Sequence, residues 1–310
     1  MNATAMVKVL IGPSSFAALD SSPLERLAGC GYGVVENPFK RKLTKSELLD
    51  LLGEGTAGLI AGLETLDAEV LKESGLKVIS RCGSGLSNVD LETAKELGVV
   101  VCSTPEGPTS AVAELTIGAM LSLLRMISQM DREMHRGGWP KRVGYQLEGK
   151  TVVIVGLGRI GKRVASLLEP FNVRIIGVEP LAADNVEGIP VCSLEEAIPK
   201  ADIITLHASG EQCIMGRKEL ESVKPSVFLL NAARGGLIDE TSLVEVLKRG
   251  KISGAWLDTF EQEPYSGPLT DFERVILTPH VGSYTRECRL RMEMEAVENL
   301  IGAFSEKGGK

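Results

Sequence analysis

The sequence predicts an α/β protein built from two doubly wound parallel-sheet domains. Strand-like apolar runs alternate with helix-like segments through most of the 310 residues. The alternation restarts after a long apolar-rich stretch at Ser110–Met130. This rhythm is that of βαβ units, whose crossover helices keep the strands parallel. A chain of 310 residues also suits about two domains.

The first series has strands expected at Val7–Ile11, Gly33–Val35, Gly58–Ala61, Lys77–Ser80 and Val99–Cys102. Helices fall between them, at Lys45–Leu52 behind the cap Thr44 and at Leu91–Leu97 behind Asp90. Ser110–Met130 then reads as one helix of several turns, capped by Thr109 or Ser110. It is expected to bridge domains or form a subunit interface, and its end is too polar for a membrane span. Gly137, Gly138, Pro140 and Gly144 mark His135–Lys150 as a connection. The second series places strands at Val152–Val155, Arg174–Val178, Asp202–Leu206, Val227–Asn231, Ser253–Leu257 and Val275–Leu277. Arg286–Phe304 closes the chain as a helix, with Leu290, Met294, Val297 and Leu300 at helical spacing.

Composition excludes several classes. With 44% apolar and 24% charged residues the chain can bury an ample core, so it needs no disulfide or structural metal. No stretch is apolar enough for a membrane helix, and Met1–Phe16 lacks the basic and apolar regions of a signal peptide. A net charge of -7 without a basic stripe argues against nucleic acid. The six cysteines form no CxxC pair and no zinc-finger spacing with histidine. They read as reduced thiols of a cytoplasmic protein, with no metal site.

The most specific local signal runs from Thr151 to Pro180. A buried strand enters Gly156-Leu157-Gly158-Arg159-Ile160-Gly161, a helix follows, and a second strand ends at Glu179. Gly156 permits the tight turn, Gly158 lets a pyrophosphate approach the backbone, and Gly161 lets the helix pack on the strand. Arg159 and Ile160 open that helix, whose N–H groups and dipole favour phosphate. Glu179, about 20 residues on, is placed to accept hydrogen bonds from a ribose diol. Its carboxylate repels a 2′-phosphate, and no arginine follows in Glu179–Ala182, so NAD is expected over NADP.

Hydride transfer on a hydroxy acid needs a cation for the carboxylate and carbonyl, an acid/base, and a partner that fixes the base's tautomer. There are three histidines. His135 reads as a solvated surface residue. His207 ends a strand and is expected to line the cofactor cleft, and His280 follows the last strand. Successive strand ends deliver Arg234 in Asn231–Gly236, Asp258 and Glu263 in Leu257–Pro264, and His280 in Thr278–Ser283. Ala232 and Gly282, in the first and last of these segments, count with the cofactor-binding residues. The C-terminal edge of an open parallel sheet is where ligands bind.

With these spaced segments the chain resembles the D-isomer-specific 2-hydroxyacid dehydrogenases over nearly its whole length. The resemblance implies a flavodoxin-like substrate domain (1–104 plus 285–310) and a Rossmann dinucleotide-binding domain (105–284). It implies hinges near Ser103–Pro105 and Gly282–Thr285. His280 would be the acid/base, Glu263 its partner, Arg234 the substrate clamp and Asp258 a contact to the nicotinamide carboxamide. Ser84 and Gly85 would offer N–H groups to the substrate carboxylate, and a homodimer through Ser110–Met130 is implied. Within the family the runs Arg81–Asp90, Ser103–Gly107 and Ala113–Thr116 are similar to those of 3-phosphoglycerate dehydrogenases, with Arg81 and Arg125 near the substrate phosphate.

Two departures from those enzymes stand out, the first bearing on the substrate and the second on feedback control. Ala61-Gly62-Leu63-Glu64 lacks an arginine those enzymes usually carry after the third strand. The guanidinium is the group best shaped for bidentate phosphate contacts. The chain also ends at Lys310, without their serine-sensing domain. Sulfolactate-, glycerate- and lactate-type acids therefore stay open beside 3-phosphoglycerate. Two rivals use related folds. An NAD(H)-sensing corepressor would show redox-dependent partner binding, and a methyltransferase would leave Arg234, Glu263 and His280 without work.

Overall fold

The computed structural model describes residues 6–53, 55–181, 184–210 and 212–308. Met1–Ala5, Ala182 after Glu179, and Gly309–Lys310 lie outside the described residues. The chain divides into two compact units. One holds the residues up to Pro108 and those from Ser283 onward, the other Thr109–Gly282.

The first unit runs β1 (Lys8–Ile11), α1 (Ser22–Gly29), β2 (Gly33–Glu36), α2 (Lys45–Leu51), β3 (Thr56–Ala61), α3 (Ala68–Ser74), β4 (Val78–Arg81), α4 (Leu91–Glu96) and β5 (Val100–Ser103). The strands are parallel in the order β2-β1-β3-β4-β5, the flavodoxin-like order expected. Helix starts follow the predicted caps. Thr44 and Glu47 form a reciprocal capping box, and the Asp90 carboxylate accepts the Thr93 N–H at 3.0 Å. Leu10, Leu59 and Ile79 are fully or almost fully buried at the centre of the core. The C-terminal helix belongs here too. Leu300 and Phe304 pack over Gly58 of β3, and Asn299 donates to the Ser103 carbonyl at 3.0 Å. In this order β1 lies between β2 and β3, so the strand order reverses at the β1/β3 boundary.

The second unit opens with α5 (Pro108–Arg125) and α6 (Ile127–His135), where one continuous helix was expected. Their axes bend by 68° at Met126, a left-handed residue with φ 53°. The Leu124 carbonyl, which would accept the next helical bond, instead accepts the N–H of Tyr145 at 2.9 Å. A contact distant in sequence thus ends the helix. Pro108 occupies the first turn, where a missing N–H costs nothing. Neither Thr109 nor Ser110 is the cap, and the buried Thr109 hydroxyl has no hydrogen bond among the described residues. No single helix among the described residues is long and apolar enough to cross a membrane.

The second sheet follows: β6 (Thr151–Val155), α7 (Arg159–Leu168), β7 (Arg174–Val178), a ribbon of β8 (Asn185–Val186) and β9 (Ile189–Pro190), α8 (Leu194–Ala197), β10 (Ile203–Leu206), α9 (Arg217–Ser222), β11 (Val227–Asn231), α10 (Glu240–Lys248), β12 (Ile252–Leu257) and β13 (Val275–Leu277). The parallel order of this sheet is β13-β12-β11-β10-β6-β7. The closing helix is α11 (Arg286–Gly308). Every residue of β6 and β11 is buried, as a sheet covered on both faces requires. The β8–β9 ribbon went unforeseen because its strands of two residues are too short to show a period.

Candidate active site

The glycine turn stands at the C-terminal end of β6, where the strand order reverses between β6 and β10. Gly156 has φ +94°, and a Cβ there would lie 2.5 Å from the Ala208 nitrogen. A Cβ on Gly161 would lie 2.0 Å from the Gly156 carbonyl oxygen, so α7 presses directly on the turn. A Cβ on Gly158 would meet nothing within 4 Å. Two of the three glycines are thus required by packing and the third leaves open space above the backbone. Gly158 is the N-cap of α7, with no side chain capping the helix, and Arg159 and Ile160 are its first residues. Glu179 reaches back from the end of β7, and its Oε2 accepts the Leu157 N–H at 3.0 Å. An uncapped helix start, a bare glycine above it and a carboxylate at the edge fit a dinucleotide. His207 follows β10 on the other side of the turn. Burial pushes its ring down to about 4, and its Nε2 pairs with the Thr205 hydroxyl at 2.9 Å. It is a neutral wall of the turn.

The ends of β11, β12 and β13 form one hydrogen-bonded framework. The Asn231 side chain accepts the Ala233 N–H at 3.1 Å and donates to the Arg234 carbonyl at 2.8 Å, fixing the turn through Ala232 that presents Arg234. Gly235 lies so close to the next loop that a Cβ would stand 1.8 Å from the Phe260 carbonyl carbon. The Phe260 N–H in turn donates to Glu263 Oε1 at 3.1 Å. Glu263 Oε2 is 2.9 Å from His280 Nδ1. A carboxylate only accepts, so Nδ1 carries the proton of the neutral ring and Nε2 remains the working nitrogen. The pair is half-exposed and adds little stability. Its effect is to fix the tautomer and the ring.

His280 has φ +53°, a left-handed conformation that costs a residue with a Cβ roughly 1–2 kcal/mol. Asp258 holds it there. Oδ1 accepts the Thr278 hydroxyl at 2.6 Å and the Val281 N–H at 2.9 Å, and Oδ2 accepts the Gly282 N–H at 2.8 Å. Thr278 is itself held by the Trp256 indole N–H at 2.9 Å. Asp258, expected as a cofactor contact, is therefore buried and mainly engaged with its own chain, with one acceptor direction left on Oδ2. Asn231 and Thr278 went unassigned. The signal for them was a polar residue ending or following an otherwise apolar strand.

In the first unit Arg81 ends β4, and its Nη1 donates to the Cys82 carbonyl at 2.9 Å. The guanidinium fills the space over Gly83, which has φ +147°. Gly83 is tied to Thr104, whose hydroxyl accepts its N–H at 2.7 Å, and Ser84 and Gly85 follow at the same edge. Arg125 lies elsewhere in the second unit. Within the second unit, Gly282 sits against Val112 near the start of α5, whereas Leu123 reaches Gly254 near the start of β12. Val112 and Arg125 are about 20 Å apart along the helix axis. Arg125 thus stands at the opposite sheet edge from His280.

The family model for the NAD-binding domain of D-isomer specific 2-hydroxyacid dehydrogenases matches residues 117–282, which hold the glycine turn, Glu179, Arg234, Glu263 and His280. The chain is 39% identical over 258 residues to the D-3-phosphoglycerate dehydrogenase of Methanocaldococcus jannaschii, covering 80% of this chain and 49% of the relative. It is 36% identical over 297 residues to the glyoxylate reductase of Thermofilum pendens, covering 91% and 88%. The solved TT0316 protein of Thermus thermophilus matches with a TM-score of 0.89 and 35% identity over 97% of each chain. The chain spans about half the length of the D-3-phosphoglycerate dehydrogenases it matches. Fold, glycine turn and matched segments agree: the chain belongs to the D-isomer specific 2-hydroxyacid dehydrogenases.

Proposed function

We propose that the chain interconverts a small D-2-hydroxy acid and its 2-keto acid with NAD. The observation that carries this reading is the His280–Glu263 pair, held on a left-handed turn at the sheet edge that also bears the glycine turn and Arg234. The nicotinamide cofactor, when bound, supplies or takes the hydride. His280 Nε2 gives a proton to the keto oxygen in reduction and takes the hydroxyl proton in oxidation. Glu263 stabilises the charged ring between those events, and Arg234 holds the carboxylate and polarises the carbonyl. In the first unit, Ser84 and Gly85 are proposed as N–H donors to a substrate carboxylate. Asp258 Oδ2 has one acceptor direction for the carboxamide, and Gly282 and Ala232 bound the cofactor beside it. Glu179 takes the ribose hydroxyls and repels a 2′-phosphate, which selects NAD over NADP.

The names of the relatives suggest 3-phosphoglycerate as the hydroxy acid, and Arg81 is retained for its phosphate. Gly62 at the end of β3 favours an unphosphorylated acid instead, because it brings no cation to that edge. The proposed assembly is a homodimer through α5 and α6, near which Ile127, Met134, Trp139 and Val143 expose apolar surface. A cytoplasmic setting is proposed on the six unpaired thiols. The test is oxidation of NADH and of NADPH against a panel of 2-keto acids. Turnover with NADH preferred is expected. Bound NADH without turnover of any 2-keto acid overturns the reading, and a monomer's mass by light scattering overturns the dimer.

A further inference from the structure

A hydroxyl group ties the strand ends around His280 to the core. Trp256 lies in β12, fully buried, and is paired with Ile276 of β13 in the ladder. Two residues beyond them stand Asp258 and Thr278. The Trp256 indole N–H donates to Thr278 Oγ1 at 2.9 Å, and the Thr278 hydroxyl donates to Asp258 Oδ1 at 2.6 Å. An indole nitrogen only donates and a carboxylate only accepts, so both protons of this relay have one direction. The second bond has the length of a charge-assisted hydrogen bond, and the indole strengthens it by polarising the hydroxyl.

The turn at His280 depends on this link. The His280 and Glu263 side chains are 45% and 36% exposed, so packing does little to hold the ring. Its place follows from the backbone, which has φ +53° at His280. Asp258 keeps the backbone there through the N–H groups of Val281 and Gly282. Those two donors belong to the turn itself and cannot also be the fixed point against which it is set. A Cβ on Gly282 would lie 3.1 Å from Asp258 Oδ2, so carboxylate and turn are in close contact and a rotation of one moves the other. Thr278 is still on the ladder, where its N–H donates to the Leu257 carbonyl at 3.0 Å. Its hydroxyl is the donor to Asp258 that has an anchor inside the sheet.

We propose that Thr278, anchored by Trp256, is a positioning residue for proton transfer at His280: its hydroxyl orients the Asp258 carboxylate, and through it the turn that presents Nε2. This rests on the 2-hydroxyacid dehydrogenase reading and deepens it. A methyl group in place of the hydroxyl leaves the indole N–H and one side of the carboxylate without partners, and the carboxylate is then free to turn. A small displacement of the reacting group costs rate rather than binding.

The test measures kcat, KM and NADH affinity for the wild type, Thr278→Val, Thr278→Ser and Trp256→Phe, with glyoxylate, hydroxypyruvate and pyruvate as the keto acids. Thr278→Val keeps the shape and removes the hydroxyl. It should lower kcat by about 10- to 100-fold and leave KM for the keto acid and the NADH affinity within about twofold. Thr278→Ser restores the hydroxyl and should return kcat to within about threefold of the wild type. Trp256→Phe should lower kcat less than Thr278→Val does, and should cost nothing further in its presence, because the relay is already broken. The chain has two tryptophans, and Trp139 is exposed. The indole N–H resonance of Trp256 should therefore shift in Thr278→Val, while that of Trp139 stays in place. Wild-type kcat in Thr278→Val, equal losses in the Val and Ser variants, or a loss that falls on NADH affinity instead of kcat overturns Thr278 as a positioning residue. If Thr278→Val does not fold, wild-type kcat in Trp256→Phe overturns it, since the anchor then has no bearing on the turn. Absence of wild-type turnover on every keto acid overturns the underlying reading and the proposal with it.

Discussion

The two sheet edges solve different problems. At the ends of β11, β12 and β13 the side chains of Asn231, Asp258, Glu263 and Thr278 are tied to backbone or to another side chain. Asp258 accepts three hydrogen bonds, Asn231 makes two and Glu263 makes two. At the ends of β1 and β3 the central feature is one buried carboxyl group between two glycines, bonded to the backbone N–H groups of Gly62 and of Glu64 itself. The first arrangement fixes one ring in one tautomer, as proton transfer demands. The second holds a carboxyl group out of water between two strand ends. A closed network of the first kind is what holds a reacting group in one geometry.

The largest expected effect breaks the closed network at its working end. His280→Ala should lower kcat by about 10²–10⁴-fold while leaving NADH affinity, read by fluorescence titration, within about twofold. Full activity in that variant removes His280 as the acid/base. His207, at the same sheet edge, gives a pH signature. Its ring falls from 6.5 to about 4 in the fold. The unfolded chain therefore binds the proton first as pH drops, and the stability due to this ring is present above about 6.5 and lost towards 4. The loss is on the order of 3 kcal/mol, and His207→Gln should flatten the slope of unfolding free energy with pH in that window. A slope unchanged by the substitution means the ring accepts its proton without unfolding. Asp258→Asn should cost about 1–3 kcal/mol, because an amide N–H then confronts the Val281 or Gly282 N–H. Chemical denaturation measures that cost. A loss of kcat without a loss of stability would show that Asp258 works on the cofactor rather than on the turn.

Much of the closed edge was legible, because each of its segments follows a strand whose apolar run is readable and because Gly156, Gly158 and Gly161 answer to steric need. Residue patterns do not report where a distant N–H competes for a carbonyl, so the break at Met126 was missed. The place of Arg125 relative to His280 was equally unreadable, since position along α5 relative to the strands is a tertiary fact. The pairing of Thr278 with Asp258 joins residues 20 apart in sequence on neighbouring strand ends. The Glu64 site was the least legible. Ala61-Gly62-Leu63-Glu64 reads as a loop missing an arginine, and only the approach of Gly12, some 50 residues earlier, shows that the carboxyl group is buried.

The smallest expected effect is also the one that separates the two edges most cleanly, because its sign is opposite to that of Asp258→Asn. Burial raises the Glu64 carboxyl in the fold. The native state then holds its proton more tightly than the unfolded chain, so the favourable contribution is complete below the ordinary carboxylate value of 4.5 and is lost as pH rises through the raised one. At neutral pH the wild type carries a cost that a neutral side chain of the same shape escapes. Glu64→Gln should therefore melt higher than the wild type at pH 7.5, and the difference should shrink as pH falls towards 4. Residues kept for packing do not behave in this way, since replacing them lowers stability at every pH. A variant more stable than the wild type marks a group kept against the interest of the fold. A melting temperature below that of the wild type at pH 7.5 would instead make Glu64 a strut of the β1/β3 edge.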